Sequence, residues 1–214
     1  MKKLSVKKLV LIAMLAAFAY MIMALVRIPV VLFLKYEPKD VIITIGGFLL
    51  GPMASFIISA LVSLIEMVTV SETGPIGCLM NLISTCSFAC VAAFIYKRQH
   101  TLKGAIAGLA AGSVFMVCIM LLWNWLITPL YMGVERSAVE GLLLPAFLPF
   151  NLLKAGLNSA LTLFLYKPVV TALRKTKLVE SGSSAGSSKT GIYLFAAGLL
   201  ITCILLLLVL QGKL

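Results

Sequence analysis

The stretch VIITIGGFLLGPMASFIISALVSLI, residues Val41–Ile65, runs for 25 residues without a charged side chain. A transmembrane helix needs about 20 apolar residues, so this run is too long for one comfortable span. The pair Gly51-Pro52 interrupts it, and proline both disfavours helix at the preceding residue and removes a backbone donor. The run therefore predicts a short helix near 40–50 and a second helix near 53–70.

The composition of the whole chain agrees with this stretch. Of its 214 residues, 62% are hydrophobic and 12% are charged, and the mean hydropathy is +1.12. Soluble domains have about 45–50% apolar and about 25% charged residues. The chain has too little polar surface to coat a water-soluble globule, which excludes a soluble enzyme, a secreted disulfide scaffold and a disordered tail. We therefore predict an all-α polytopic membrane protein.

Further runs that are long and apolar predict the remaining spans. They are Leu9–Val26, Gly77–Tyr96, Gly104–Gly133, about 146–166 and Gly191–Leu210. Before the last run, Glu180–Lys189 is rich in glycine and serine, which is typical of a flexible linker. We expect a membrane domain over 1–175, a cytoplasmic linker over 176–190 and an extra C-terminal transmembrane helix over 191–214.

Basic residues are distributed unevenly between the predicted loops. The chain carries 18 Lys and Arg against 7 Asp and Glu, a net charge of +11. With the N-terminus inside, 12 of the 18 basic residues fall in cytoplasmic segments, whereas most acidic residues fall outside. Cytoplasmic loops of membrane proteins carry an excess of Lys and Arg. The positive charge therefore predicts a cytoplasmic N-terminus and not a nucleic-acid partner.

Lys154 lies within a predicted span, where an ionisable group is costly and usually faces the bundle interior or a watery cavity. Asn151, Lys154 and Asn158 share one helix face by their spacing. Asn124 and Asn81 add amides on two other predicted helices. Such groups bind a polar or weakly anionic molecule without supplying a nucleophile–base pair. The alternative is that they tie helices together, at about 0.6 kcal/mol per hydrogen bond.

Other polar and small residues within the spans leave two interpretations open. Glu66 is either the charge partner of Lys154 or a residue of the outer rim. Small residues repeat every four positions on two predicted helices, at Ser55, Ser59 and Ser63 and at Ala13 and Ala17. This spacing permits close helix contact, but it does not decide which stripe packs internally and which meets a partner.

The sequence offers no recognisable catalytic or metal-binding motif. It has one histidine, no HExxH and no P-loop, which argues against an intramembrane protease and against ATP hydrolysis by this chain. The five cysteines lie in apolar runs without a CxxC pair, as small buried apolar residues do. We predict no catalytic residue, no metal site and no cofactor.

Four stretches resemble the substrate-binding (S) components of energy-coupling factor (ECF) transporters, specifically the riboflavin-binding type. They are LKYEPKDVIITIGGFLLGP at Leu34–Pro52, the helix Gly77–Arg98 ending in IYKR, WNWLITPLY at Trp123–Tyr131 and LPFNLLKAGLNSALTLFLYKP at Leu148–Pro168. The resemblance as a whole covers about residues 1–175. Two positions depart from the family: Ser55 replaces the last glycine of the pattern GGFxxGPxxG, and Lys39 occupies a position often held by a small residue.

The resemblance implies a six-helix bundle in a bacterial cell membrane that captures riboflavin from outside. A transmembrane T component and two ATPase subunits would drive its passage inward, and riboflavin would be the transported ligand. A different vitamin or small heterocycle is an alternative ligand for the same module. A membrane interaction subunit without a transported ligand is a further alternative.

The resemblance also implies roles for particular residues. Polar groups on the later helices would bind the ligand, here Asn124, Asn151 and Lys154, together with Asn81. The first external loop would act as a lid, here Lys35, Tyr36, Glu37 and Asp40. The face carrying Ala13 and Ala17 would contact the T component.

Overall fold

The computed structural model describes residues 5–71, 73–175 and 189–212. Its helices are α1 (Val6–Leu25), α2 (Lys39–Leu50), α3 (Pro52–Thr69), α4 (Gly74–Arg98), α5 (Leu102–Met132), α6 (Arg136–Leu142), α7 (Leu148–Lys175) and α8 (Lys189–Leu210). Strands β1 (Ile28–Val31) and β2 (Leu34–Tyr36) form an antiparallel hairpin between α1 and α2. A π-helical turn, Leu143–Phe147, joins α6 to α7. The predicted linker falls largely on 176–188, outside the described residues.

Within the described ranges, six helical segments are long and apolar enough to cross a membrane. They are Val6–Leu25, Pro52–Thr69, Gly74–Arg98, Leu102–Met132, Arg136–Tyr166 and Tyr193–Leu210. The predicted all-α polytopic class is confirmed, and α8 supplies the expected additional C-terminal helix. The β-hairpin is absent from the sequence-based prediction, because its strands have only four and three residues.

Gly51 separates α2 from α3, as the Gly51-Pro52 pair predicts. Gly51 has a φ of 97°, a conformation that glycine adopts at little cost, and Pro52 opens α3 where its missing N–H is not needed. At 12 residues, α2 is about 18 Å long at 1.5 Å per residue, too short to span the bilayer alone. It is buried from Lys39 to Phe48 and packs against α1, α3, α4 and α7, so it is the central helix.

Glycines permit the closest helix contacts. A Cβ atom on Gly47 of α2 would lie 2.0 Å from Ser55 Oγ of α3. On α5, a Cβ atom on Gly112 would lie 2.5 Å from the carbonyl oxygen of Phe88 in α4. Gly108 and Gly112 form a GxxxG pair, which favours close helix approach. This pair is missing from the predicted contacts, although its spacing is visible in the sequence.

The two stripes of small residues face different surroundings. Ser55, Ser59 and Ser63 on α3 are at most 2% exposed, so this stripe packs inside the bundle. Ala13 and Ala17 on α1 are exposed. The serine stripe is therefore internal and the alanine stripe is exposed, while contact of Ala13 and Ala17 with a partner stays a prediction.

Apolar side chains of the described residues form two clusters. The larger one lies mainly among α1 to α5. The smaller one, here called the hairpin cluster, joins the β-hairpin to α7 and α8 and contains Val30, Leu34, Phe147, Leu153 and Cys203. This cluster packs the hairpin against one end of the bundle. At this end, here called the hairpin end, α1 and α3 finish and α4 and α7 begin.

Candidate functional site

A cleft lies at the hairpin end, between the hairpin and helices α3, α4, α5 and α7. It combines apolar side chains with charged groups and amides, and its lining residues are Arg27, Phe33, Leu34, Lys35, Glu37, Glu66, Ser71, Thr73, Met80, Asn81, Ser84, Met120, Asn124, Phe150, Asn151 and Lys154. Apolar walls with a few convergent polar groups are typical of small-molecule sites. The cleft is therefore the candidate binding site of this chain.

The structure brings most of the predicted ligand-binding residues together in this cleft. Those that line it are Lys35, Glu37, Asn81, Asn124, Asn151 and Lys154. The other two, Tyr36 and Asp40, are buried behind the lining, and Asp40 contacts Lys154 from there. The role of all eight residues in binding a ligand stays a prediction.

Lys154 is paired with Asp40, and not with Glu66. Lys154 Nζ lies 3.2 Å from Asp40 Oδ2 and donates a hydrogen bond to Ser84 Oγ at 3.2 Å. Asp40 is fully buried and also accepts a hydrogen bond from Thr85 Oγ1 at 2.6 Å. A buried ion pair needs such additional hydrogen bonds to offset its desolvation. Asp40 therefore ties the central helix α2 to α4 and α7 directly beneath the cleft.

Both interpretations of Glu66 from the sequence are wrong. Glu66 does not pair with Lys154, and at 4% exposed it is a buried wall residue instead of a rim residue. Its carboxylate accepts hydrogen bonds from Arg27 Nη2 at 2.8 Å, Lys39 Nζ at 2.5 Å and Asn81 Nδ2 at 2.9 Å. Two cations from outside its own helix explain why a carboxylate is retained near the end of an apolar helix.

The same cations fix the base of the hairpin. Arg27 precedes β1 and Glu37 follows β2, and Arg27 Nε donates to Glu37 Oε1 at 2.8 Å. Lys39 Nζ lies 2.7 Å from Glu37 Oε2, and Arg27 Nη1 donates to the carbonyl oxygen of Val70 at 2.8 Å. This network joins both ends of the hairpin to the end of α3. Arg27 is missing from the predicted site, although an opposite-charge pair flanking one loop was a signal in the sequence.

The amides of Asn124 and Asn151 are oriented by their own helices. Asn124 Nδ2 donates to the carbonyl oxygen of Met120 at 2.7 Å, and its Oδ1 accepts from Thr128 Oγ1 at 2.9 Å. Asn151 Nδ2 donates to the carbonyl oxygen of Phe147, in the π-helical turn, at 2.7 Å. An amide has two N–H donors and an oxygen with two lone pairs, so each side chain retains capacity for a further hydrogen bond.

A hydrogen-bonded chain connects the hairpin to α7 behind the cleft. Burial, followed by the negative charge of Asp40, raises the pKa of the Tyr36 hydroxyl above its ordinary value. The hydroxyl therefore stays neutral and donates to Asn158 Oδ1 at 3.1 Å. Asn158 Nδ2 donates to Asp40 Oδ2 at 3.1 Å. Through Asn158, Tyr36 therefore helps to fix the carboxylate of Asp40, which pairs with Lys154.

The comparisons with known proteins identify the family of this chain. The family model for the substrate-specific component of ECF transporters matches residues 7–166. The chain belongs to this family. Its sequence is 28% identical over 163 residues to the riboflavin transporter FmnP of Bacillus subtilis (strain 168), covering 71% of this chain and 85% of the relative. It is 25% identical over 178 residues to the riboflavin transporter RibU of Staphylococcus aureus (strain TCH60), covering 79% and 93%.

The fold of this S component agrees with that of a solved relative. The structure of the S component of a bacterial ECF transporter is similar with a TM-score of 0.67 at 26% sequence identity, covering 78% of this chain and 98% of that one. Together with the apolar helices, the family makes this chain a multi-pass membrane transporter subunit. The matched residues contain the whole cleft, whereas α8 lies beyond residue 166.

Proposed function

We propose that this S component binds riboflavin in the cleft and delivers it across the membrane. The observation that carries the proposal is the convergence of Asn124, Asn151 and Lys154 with apolar walls in a chain whose relatives from Bacillus subtilis and Staphylococcus aureus are riboflavin transporters. The fold alone would leave the ligand open, so the proposal depends on both the chemistry of the cleft and these relatives.

The side chains that line the cleft match the chemistry of a flavin. The polar edge of the flavin ring alternates hydrogen-bond donors and acceptors, which the amides of Asn124 and Asn151 can match. The ammonium group of Lys154 can donate to a ring carbonyl or a ribityl hydroxyl oxygen. Phe33 and Phe150 line the same cleft and offer apolar surface for the ring faces. Asn81, Lys35 and Glu37 supply further polar contacts at the wall.

Riboflavin enters from the outside at the hairpin end. The opposite end, where α4 finishes and α5 begins, carries Lys97, Arg98 and Lys103, and a basic loop favours the cytoplasm. This orientation puts the N-terminus in the cytoplasm and the cleft at the external surface. In it, the hairpin with Lys35 and Tyr36 forms the lid together with Glu37 directly after it, whereas the fourth predicted lid residue, Asp40, lies in α2 and pairs with Lys154.

A T component and two ATPase subunits complete the importer. The chain lacks a P-loop, so ATP hydrolysis belongs to the partner subunits. The exposed stripe of Ala13 and Ala17 on α1 allows another helix to approach closely. This stripe is the contact surface for the T component.

The identity of the ligand is tested on the purified chain in detergent. We expect a yellow, fluorescent molecule with flavin absorbance to co-purify, and riboflavin to quench the fluorescence of Trp123 and Trp125 in a saturable manner. Competition by other vitamins provides the control. If another vitamin quenches the tryptophan fluorescence and riboflavin does not, the chain is an S component for that vitamin. If no vitamin binds, the result favours a membrane interaction subunit without a transported ligand.

A further inference from the structure

Helix α8 contacts the hairpin wall of the cleft although it lies outside the family match. Gln211, which follows α8, donates a hydrogen bond from Nε2 to the carbonyl oxygen of Pro29 in β1 at 2.7 Å. The helix packs along α7 and against β1. The paired strand β2 presents Leu34 and Lys35 to the cleft. Strand β1 therefore lies between α8 and β2, the strand that lines the candidate ligand site.

The hairpin needs support from its neighbours to keep its place. Its strands are short, its pairing is irregular between Pro29 and Val31, and Leu32 in the turn has a φ of 52°. A side chain other than glycine is strained at positive φ, and an isolated two-stranded hairpin is marginally stable at best. The helical walls of the cleft belong to the continuous bundle, so the hairpin is the wall that opens at the lowest free energy.

Helix α8 supplies part of that support through the hairpin cluster. Cys203 is buried in the cluster, and apolar side chains of α8 pack against it, namely Leu199, Leu200, Leu206, Leu207 and Leu210. The helix is held against α7 at a close crossing, where a Cβ atom on Gly156 would lie 2.5 Å from Cys203 Sγ. At this crossing the two helices are in direct contact, so α8 has a defined position from which to restrain β1.

We infer that α8 is a positioning element that holds the hairpin over the cleft and thereby slows ligand release. The charge network around Glu37 fixes the base of the hairpin, and the contact of Gln211 with Pro29 fixes β1 from the side of α8. Opening the hairpin breaks the α8 contacts, so they lower the population of the open state. The effect on release rests on the proposed riboflavin binding, whereas the restraint on the hairpin does not.

The test uses the full-length chain in detergent and three substitutions. Gly156→Leu separates α8 from α7, Gln211→Glu removes the donor to Pro29 without changing the shape of the side chain, and Gly198→Leu is the matched control. A Cβ atom on Gly198 meets nothing within 4 Å. Hydrogen exchange of residues 28–37 in the ligand-free protein reports hairpin opening, and exchange in α4 reports the integrity of the bundle. Stopped-flow displacement measures the rate of riboflavin release.

We expect Gln211→Glu to accelerate hairpin exchange and riboflavin release by about two- to ten-fold, the effect of losing one net hydrogen bond. Gly156→Leu should accelerate both as well, and exchange in α4 should stay unchanged in either variant. Gly198→Leu should behave as the unaltered chain does. Hairpin exchange that stays at the unaltered rate in both test variants would overturn the inference, and Gln211→Glu decides alone if Gly156→Leu does not fold. If the unaltered chain binds no riboflavin, the proposed function fails while the exchange measurement still decides the role of α8.

Discussion

Lys154 Nζ and Asp40 Oδ2 lie 3.2 Å apart in a part of the bundle where Lys154 is 7% exposed and Asp40 is fully buried. The ammonium group completes an ion pair between α7 and α2 and also lines the candidate cleft. The same cation therefore contributes to the packing of the bundle and lies where the proposed ligand would bind.

Replacement of Lys154 by methionine tests its role in binding. We expect the Lys154→Met variant to bind riboflavin about 10- to 150-fold more weakly, the equivalent of 1.5–3 kcal/mol for a hydrogen bond to a charged group. Fluorescence titration measures the dissociation constant. The control is Lys97→Met, an exposed lysine at the opposite end of the bundle. Equal dissociation constants for Lys154→Met and the control would contradict a binding role.

The coupling between Asp40 and Lys154 is tested by a double-mutant cycle. Removing one partner of a buried ion pair costs about 3–5 kcal/mol, because the other charge is left uncompensated. We expect Asp40→Asn and Lys154→Met each to lower the thermal stability in detergent strongly. The loss of stability in the combined variant should be smaller than the sum of the losses in the two single variants. Strict additivity would show that the two side chains act independently.

The central place of Glu66 in the charge network predicts an effect on stability. Glu66→Gln keeps the shape of the side chain but removes the charge that faces Arg27 and Lys39. We expect a loss of about 1.5–3 kcal/mol in the free energy of unfolding, measured by thermal denaturation in detergent. The exposed Glu135 provides the control Glu135→Gln. If both variants melt at the same temperature, the network does not stabilise the fold.

The contact of Gly47 with α3 predicts that even one methyl group is too large there. A Cβ atom on Gly47 would overlap Ser55 Oγ and lie 2.8 Å from Ala93 Cβ, and overpacking costs about 1–3 kcal/mol. We expect Gly47→Ala to lower the melting temperature. Gly141→Ala is the matched control, since a Cβ atom on Gly141 meets nothing within 4 Å. A Gly47→Ala variant as stable as the control would show that α2 and α3 are less closely packed.

The exposed alanine stripe predicts a separation of transport from binding. Ala13→Leu with Ala17→Leu adds bulk where the T component is proposed to approach. We expect riboflavin uptake by cells to fall while the purified variant binds riboflavin normally. Ala107→Leu with Ala110→Leu makes the same change on an exposed face of α5 and should leave uptake intact. Normal uptake by the α1 variant would place the T component elsewhere.

The parts of the fold set by local sequence were predictable. The break at Gly51-Pro52 follows from the backbone chemistry of two adjacent residues, and the structure has it at that position. Long apolar runs predict helices because the bilayer leaves few alternatives for the backbone. The hairpin was not predictable in this way. Its short strands carry little periodic signal, and its position depends on distant side chains such as Phe147 and Cys203.

The sequence indicates which polar residues form the site, but not which of them pair with one another. The spacing of Asn151 and Lys154 already implied a shared face, and both residues line the cleft. The partner of Lys154 depends on how α2 sits against α7, and no local pattern distinguishes Asp40 from Glu66. Arg27 is a mixed case: its pairing with Glu37 has a signal in the charges that flank one loop, whereas its contact with Glu66 depends on the approach of α3 in space.

A riboflavin titration of the unaltered chain beside the Asn151→Leu/Lys154→Leu variant tests the central claim most directly. Isothermal titration calorimetry in detergent gives the stoichiometry and the affinity. We expect the unaltered chain to bind one riboflavin per chain and the variant to bind at least about 100-fold more weakly, since it loses an amide and a charged donor. Equal binding by both proteins would contradict the cleft as the site, and no binding by either would contradict riboflavin as the ligand.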